Sequence, residues 1–371
     1  MKKKLFLGLL AATAVSFTAC QKDEVISEMP QDEAISFNTY LGRGAQTKGT
    51  VVETTQLQTQ GFGVYAYYTG EKTMTAYATD PGIPAEANFM INEKVTNPGT
   101  GWTYTNTKYW PNTPGDKISF YAYGPYDDPI NGASNAISVV TDADSKPVLT
   151  YTVNEDFTKH MDVLFTPAQE DQTKTDGVVD MTFYHALSRV GFKVYSADNY
   201  SSTIVLTGVT LSGKFYESGT MDLGTAKINT YDDDSNPSTP EVFESVNDNW
   251  TNQPTPGSNV TFSYLTLGNQ TVSYAASATA ATVVDNDSDN SNDAQYLMIL
   301  PQTFGLGNEI TLTASYTVDG LANTVSKDME FTFEAGKAYT FAIKISLNTV
   351  DFTAVVNAWD EAPGSTDVEI N

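Results

Sequence analysis

The sequence predicts an all-β protein on three observations. Short segments rich in Tyr, Phe, Val and Thr recur from end to end with a period of two, and almost nothing repeats at the helical spacing of about 3.6 residues. Clusters of Gly, Pro, Asn and Asp separate these segments. Asp319-Gly320 lies between two alternating runs, the strongest short-range hairpin signal. Many short strands between turn residues make a sandwich or barrel rather than an α/β fold.

Taken in order, residues 35–41 alternate Ile35, Phe37, Thr39 and Leu41 with Ser36, Asn38 and Tyr40, and read as a first strand. Residues 62–68 (FGVYAYY) make a second, and residues 117–123 (KISFYAY) a third after the turn Pro114-Gly115-Asp116. Short helices are expected at residues 154–160 and 184–189. Residues 310–318 and 321–333 form the hairpin around Asp319-Gly320, and 338–347 and 350–359 follow as the last two strands. Residues 231–241 and 285–293 are loops by composition. The length exceeds what one hydrophobic core usually serves, so two domains are expected. The polar, proline-containing stretch 166–176 marks their boundary, giving an N-terminal sandwich over 34–176 and a C-terminal one over 177–371.

The start of the chain reads as an export signal. Met1-Lys2-Lys3-Lys4 is followed by an apolar run over 5–17, broken only by Gly8, Thr13 and Ser16, and then by Thr18-Ala19. That run is too short for a bilayer span, which takes about 20 residues. Cys20, the only cysteine, sits at the expected cleavage point. It is the expected lipidation site, although Phe17 stands where leucine is usual, so the expected layout is a signal peptide over 1–19 and a lipidated tether over 20–33. With that thiol occupied, no disulfide forms within the mature chain. The formal net charge of −25 repels nucleic acid and anionic lipid, so neither is an expected partner of the body.

Little in the sequence points to catalysis or to a cofactor. Asp285, Asp287 and Asp289 have the spacing of a calcium loop, but Asn290 and Tyr296 occupy the positions where an EF-hand needs Gly and Glu, so a solvated acidic loop is expected. The two histidines, His160 and His185, lie far from any HExxH or CxxC pattern, and no GxSxG elbow is present. His185, among apolar residues in FYHALSRVGFKV, reads as a hydrogen-bonded structural histidine. No metal, cofactor or enzymatic activity is expected. Trp102, Tyr104, Tyr109 and Trp110 read as sheet packing; a sugar-stacking platform is the alternative, which would make the chain a monomeric surface protein binding a glycan or another host or bacterial surface ligand.

Five stretches in order carry a family likeness: residues 62–67 (FGVYAY), 109–111 with 118–126 (YWP and ISFYAYGPY), 184–194 (YHALSRVGFKV), 296–303 (YLMILPQT) and 333–343 (FEAGKAYTFAI), with Val355-Val356-Asn357-Ala358-Trp359 closing the set. Together they resemble the fimbrillin family of Bacteroides-type bacteria. Gln21-Lys22-Asp23-Glu24 likewise resembles the acidic tag that sends lipoproteins of such bacteria to the cell exterior. The resemblance implies two transthyretin-like β-sandwiches in tandem, an outer-membrane lipoprotein, and head-to-tail assembly with other fimbrial subunits at the cell surface. It also implies maturation by a trypsin-like protease behind the first strand. The matching bond is Arg43-Gly44, in a loop with Gly42 and Gly44 on either side of the arginine; Lys48 is the second choice.

Loss of the first strand would leave unpaired backbone groups above an apolar floor, a template for a strand from another chain. The expected donor is the C-terminal strand, where Val350, Phe352, Ala354, Val356 and Ala358 share one face and the tail 360–371 follows. Burying the two valines and the phenylalanine would contribute about 5–8 kcal/mol. Ordering some nine residues opposes this at about 1–2 kcal/mol each, so the groove must be preformed. Such contacts build open filaments unless they close into a ring.

Overall fold

A computed structural model describes residues 32–41, 54–82, 86–126, 136–141, 146–228, 246–251, 257–265, 269–285, 296–346 and 350–358. The expected signal peptide, Cys20, Arg43, Gly44, Lys48, Asp287 and Asp289 lie outside them.

The protein is nearly all β. Strands β1 (Phe37–Leu41), β2 (Phe62–Gly70), β3 (Met90–Val95), β4 (Lys117–Gly124), β5 (Ile137–Thr141), β6 (Pro147–Thr152), β7 (Leu164–Phe165), β8 (Gln169–Gln172) and β9 (Val179–His185) come first. Next are β10 (Ser188–Ser196), β11 (Ile204–Gly213), β12 (Ser218–Asp222), β13 (Trp250–Thr251), β14 (Val260–Leu265), β15 (Gln270–Thr271) and β16 (Thr282–Val283). The last are β17 (Leu297–Ile299), β18 (Gln302–Phe304), β19 (Ile310–Val318), β20 (Leu321–Met329), β21 (Phe331–Phe333), β22 (Lys337–Ile345) and β23 (Val350–Ala358).

A seven-stranded sheet has the order β1-β9-β7-β4-β2-β3, with β8 also on β4. Its middle strands are buried on both faces, which is why they read as continuous apolar runs. Phe62, Val64, Ala66, Ile118, Phe120 and Ala122 enter one core; Tyr65, Tyr67, Tyr121 and Tyr123 enter another. The first core is closed by Leu57 of α1 (Thr54–Gln60) and by Trp102, Tyr104 and Trp110, and it receives Ile35 and Phe37. The second is closed by the sheet β13-β12-β6-β5 through Ile137, Leu149, Tyr151, Met221 and Trp250. Gly177 precedes β9, and pairing continues across it: β9 joins β1 on one side and β7 on the other, while β12 joins β6.

A third core lies between the sheets β16-β10-β22-β23 and β14-β11-β19-β20, with Phe192, Phe341, Ile343, Leu206, Leu211 and Leu312 at its centre. The β19–β20 hairpin turns through Asp319 (φ 49°) and Gly320 (φ 85°), the left-handed pair that a two-residue turn between twisted strands requires.

Both helix expectations change. Residues 154–160 hold one 3-10 turn, Phe157–Lys159, capped by Asp156, which accepts from the Thr158 N–H at 3.1 Å. Residues 184–189 are no helix: they span the end of β9, two connecting residues and the start of β10. There the Ala186 N–H donates to Val163 O at 2.8 Å and Leu187 O accepts from the Gly336 N–H at 2.9 Å, so the backbone is satisfied by neighbouring strands instead of its own turn. Two short helices arise where none was expected: α1, and α2 (Met74–Ala78), whose cap Thr73 accepts from the Ala76 N–H at 3.3 Å.

Candidate functional site

The described feature that best combines an exposed edge with a deep apolar anchor is the first strand and its bed. β1 forms one edge of the seven-stranded sheet and runs parallel to β9, from Phe37 opposite Val179 to Leu41 opposite Phe183. Ser36 O accepts from the Val179 N–H at 2.9 Å. Just upstream the chain is held on its other flank: the Ile35 N–H donates to Lys108 O and the Trp110 N–H to Glu33 O, both at 2.9 Å. Tyr104 Oη donates to Ile35 O at 2.8 Å, and burial of that phenol raises its pKa.

Side chains at the strand separate cleanly by face. Ile35 and Phe37 are 2% and 5% exposed, whereas Ser36 and Asn38 face solvent. The Phe37 ring sits edge-on to three others: Tyr104 at 5.6 Å, Phe120 at 5.9 Å and Phe62 at 6.1 Å between centroids. On the solvent side Asn38 Nδ2 donates to Asp180 Oδ1 at 3.1 Å. Taking away residues 33–41 would expose a groove with an aromatic socket, a second apolar socket two residues upstream, and backbone groups on both walls.

β23 is the other terminal edge. It pairs antiparallel with β22 from Val350 opposite Ile345 to Ala358 opposite Lys337. Phe352 and Ala354 are buried in the third core, and Val350 and Val356 pack half-buried against it. From Val350 to Val356 the face read from the sequence is thus the inward face here, seated in the strand's own half of the molecule.

Other candidates have structural partners. His160 is buried, accepts from the Met298 N–H through Nδ1 at 3.0 Å and bonds Asn154 O through Nε2 at 2.7 Å; burial pushes its pKa down to about 4. His185 Nδ1 donates to buried Asp162 Oδ2 at 2.8 Å, as a structural histidine should. Trp102, Tyr104 and Trp110 pack on the first core, while Tyr109 is half exposed. Asp285 donates its N–H to Gln270 Oε1. Among the described residues no group of three His, Cys, Asp or Glu is placed to hold a metal. A cleft of ≈ 520 Å³ opens between Asn154, Glu155, Tyr216, Glu217 and Asn259.

The fold and this site define a class: a β-sheet protein whose first described strand is an edge seated in an aromatic socket. The fimbrillin-like family model matches residues 50–359, and the chain belongs to that family. It is 28% identical over 237 residues to the fimbrium subunit Fim1C of Phocaeicola vulgatus, an alignment spanning 61% of this chain and 60% of that relative's length. Its fold is shared with the crystal structure of a fimbrial protein from Bacteroides vulgatus, at a TM-score of 0.60 and 20% identity, over 88% of this chain and 100% of that one.

Proposed function

We propose that this protein is a structural subunit of cell-surface fimbriae, exported as an outer-membrane lipoprotein through Cys20 and assembled by protease-triggered strand exchange. Membership of the fimbrillin-like family supports the fimbrial part. The exchange reading rests on one observation: β1 is an edge strand anchored by Ile35 and Phe37, directly before the expected cleavage loop at Arg43-Gly44. Cleavage there would free β1 to leave. Its departure would forfeit about 3–6 kcal/mol of apolar burial at Ile35 and Phe37, and would strand Lys108 O, the Trp110 N–H and the Val179 N–H.

The donor in this reading is β23 with its face Val350, Phe352, Ala354, Val356 and Ala358, supplied by a second subunit head to tail. Leaving β22 costs the donor its home pairing, so the groove must hold it better than home does. The groove has that capacity, because the chain at 33–37 is flanked on two sides whereas β23 is flanked on one. We take the body as two sandwiches in tandem, divided near Gly177 in sequence but with β9, β12 and β13 completing the first.

The test is direct. Trypsin treatment of the purified precursor is expected to create a new N-terminus at Gly44 and ladders on an unboiled gel. A chain cut at that bond that stays monomeric under assembly conditions would remove the exchange mechanism. A second reading, a monomeric surface protein that binds a glycan, has the cleft around Tyr216, lined by polar and apolar side chains alike, in its favour and is the one such a monomer would support.

A further inference from the structure

We infer that β20 is a lateral docking edge whose partner is β20 of a second copy, the two strands running antiparallel about a two-fold axis at Val325. The contact needs no cleavage and no departing strand, so it stands apart from strand exchange.

β20 is nine residues long, ends the sheet β14-β11-β19-β20, and among the described residues pairs with β19 alone. Folded proteins usually shorten, bulge, cover or interrupt an open edge of that length. Here the pairing with β19 runs from Ile310–Met329 to Val318–Leu321 without a register shift, and the strand holds no proline. The two-residue turn at Asp319-Gly320 makes Val318 and Leu321 a hydrogen-bonded pair. By alternation Leu321, Asn323, Val325, Lys327 and Met329 turn their backbone groups to β19, and Ala322, Thr324, Ser326 and Asp328 turn theirs to the free edge. Side chains do not fold back over that edge. Asp328 Oδ1 accepts from Thr311 Oγ1 and Ser326 Oγ meets Thr313 Oγ1, both at 2.7 Å.

On the core side Leu321, Val325 and Met329 recur at every fourth residue. Val325 and Met329 are half-buried against the third core, and Leu321 is 73% exposed. The fitting partner offers open backbone groups together with apolar side chains at the same spacing. A second β20 does so. With Val325 opposite its own copy, Leu321 lies beside Met329 at both ends, Thr324 faces Ser326, and every outward backbone group is paired. A slide of two residues puts Lys327 opposite Leu321 or Val325 and leaves Asp328 or Ala322, respectively, without a partner in the strand. A slide of one sets the core face against the outer face.

Lysine on an edge is the usual guard against such pairing. In this alignment Lys327 meets Asn323, whose Nδ2 already donates to Leu321 O at 2.9 Å and whose Oδ1 is left to accept from the ammonium. The symmetric contact closes on itself, so it joins two subunits side by side and does not lengthen a filament. One strand pair buries less than a standard interface, so the dimer is weak; subunits aligned in a polymer would multiply it.

Single cysteines read the axis. Cys20 is the only cysteine, so in a Cys20→Ser background Thr324→Cys, Val325→Cys and Ser326→Cys each carry one thiol. The uncut chains are concentrated and oxidised with no protease present. Thr324 and Ser326 are exposed and Val325 is half-buried, so random collision would favour the two flanking positions. The expected result is the reverse: a disulfide dimer several-fold faster from Val325→Cys, the only one of the three that meets itself on the axis. Unoxidised Cys20→Ser chain should sediment as a concentration-dependent dimer. Leu321→Lys should weaken that dimer by about tenfold while circular dichroism stays unchanged, because the residue is exposed in the single chain. A Val325→Cys dimer no faster than its neighbours, a chain monomeric up to its solubility limit, or a dimer indifferent to Leu321→Lys overturns the contact. Each of these leaves strand exchange untouched, since no chain is cut.

Discussion

β1 and β23, the first and last of the described strands, are both edge strands, yet they are held by different means. β1 is five residues long and parallel to its partner, the slightly weaker arrangement per residue. It compensates with a compact anchor, Ile35 and Phe37, and with backbone bonds on two flanks just before the strand begins. β23 is nine residues long and antiparallel, and its apolar contacts are spread from Val350 to Val356 along one flank. The difference teaches that edge position alone does not make a strand exchangeable. In the proposed exchange, a short strand with a deep anchor would leave a well-shaped groove, and a long strand with distributed contacts would be the one to be peeled and seated elsewhere.

The strongest way to break this comparison is to weld β1 in place. Asn38→Cys with Asp180→Cys, in a Cys20→Ser background, is expected to form an intrachain disulfide, because the two native side chains touch at 3.1 Å. Ladders after trypsin should then vanish completely and return on reduction. Ladders that persist in the oxidised chain would mean that β1 need not leave.

Truncating the anchors tests the energetic side. Phe37→Ala is expected to lower the stability of the uncut protein by about 3–5 kcal/mol, since three rings lose their partner; urea unfolding measures it. Phe352→Ala should cost a similar amount, as it too empties a core site. A Phe37→Ala loss below about 1 kcal/mol would show that the socket relaxes and cannot pin a donor.

Acid probes the body apart from both edges. His160 has a pKa of about 4 in the folded protein against an ordinary 6.5, so the folded state disfavours its protonation. The stability that follows is fully present above pH 6.5 and is lost progressively as pH falls toward 4, on the order of 3 kcal/mol in all. Replacing His160 with Gln should flatten that part of the stability-against-pH curve. An unchanged curve would assign acid sensitivity to other groups.

The smallest effect asks whether residue 35 leaves with β1. Ile35→Val removes one methylene from the upstream socket and is expected to cost about 0.5–1.5 kcal/mol in the uncut protein. The same change should leave ladder formation unaltered, because in the proposed exchange Ile35 would depart with β1. Weaker ladders from this variant would mean that residue 35 stays in the assembled form.

Much of the strand content was legible because alternation and turn chemistry are local. The hairpin around Asp319-Gly320 and the strands near residues 62, 117, 337 and 350 follow from sequence alone. The stretch from Tyr184 to Arg189 was misread because Ala, Leu and Arg favour helix, while the structure satisfies its backbone through Val163 and Gly336. α1 was missed since TTQLQTQ has one apolar residue, Leu57, whose burial under Phe62 and its neighbours cannot be anticipated from so sparse a pattern. Of the site, the inward faces of both terminal strands could be read; their places in the sheets could not.

By itself the sequence determined an all-β chain, the alternation that aims Ile35, Phe37, Val350 and Phe352 to one side of their strands, and the family resemblance. Only the tertiary structure decided that β1 lies on an edge, that its partner is β9, and that the rings of Phe62, Tyr104 and Phe120 converge on Phe37. The reason is physical. Side-chain alternation is set by the backbone geometry of each residue, whereas the pairing of β1 with β9 joins residues 142 apart, and which edge closes on which depends on how all the cores fill at once.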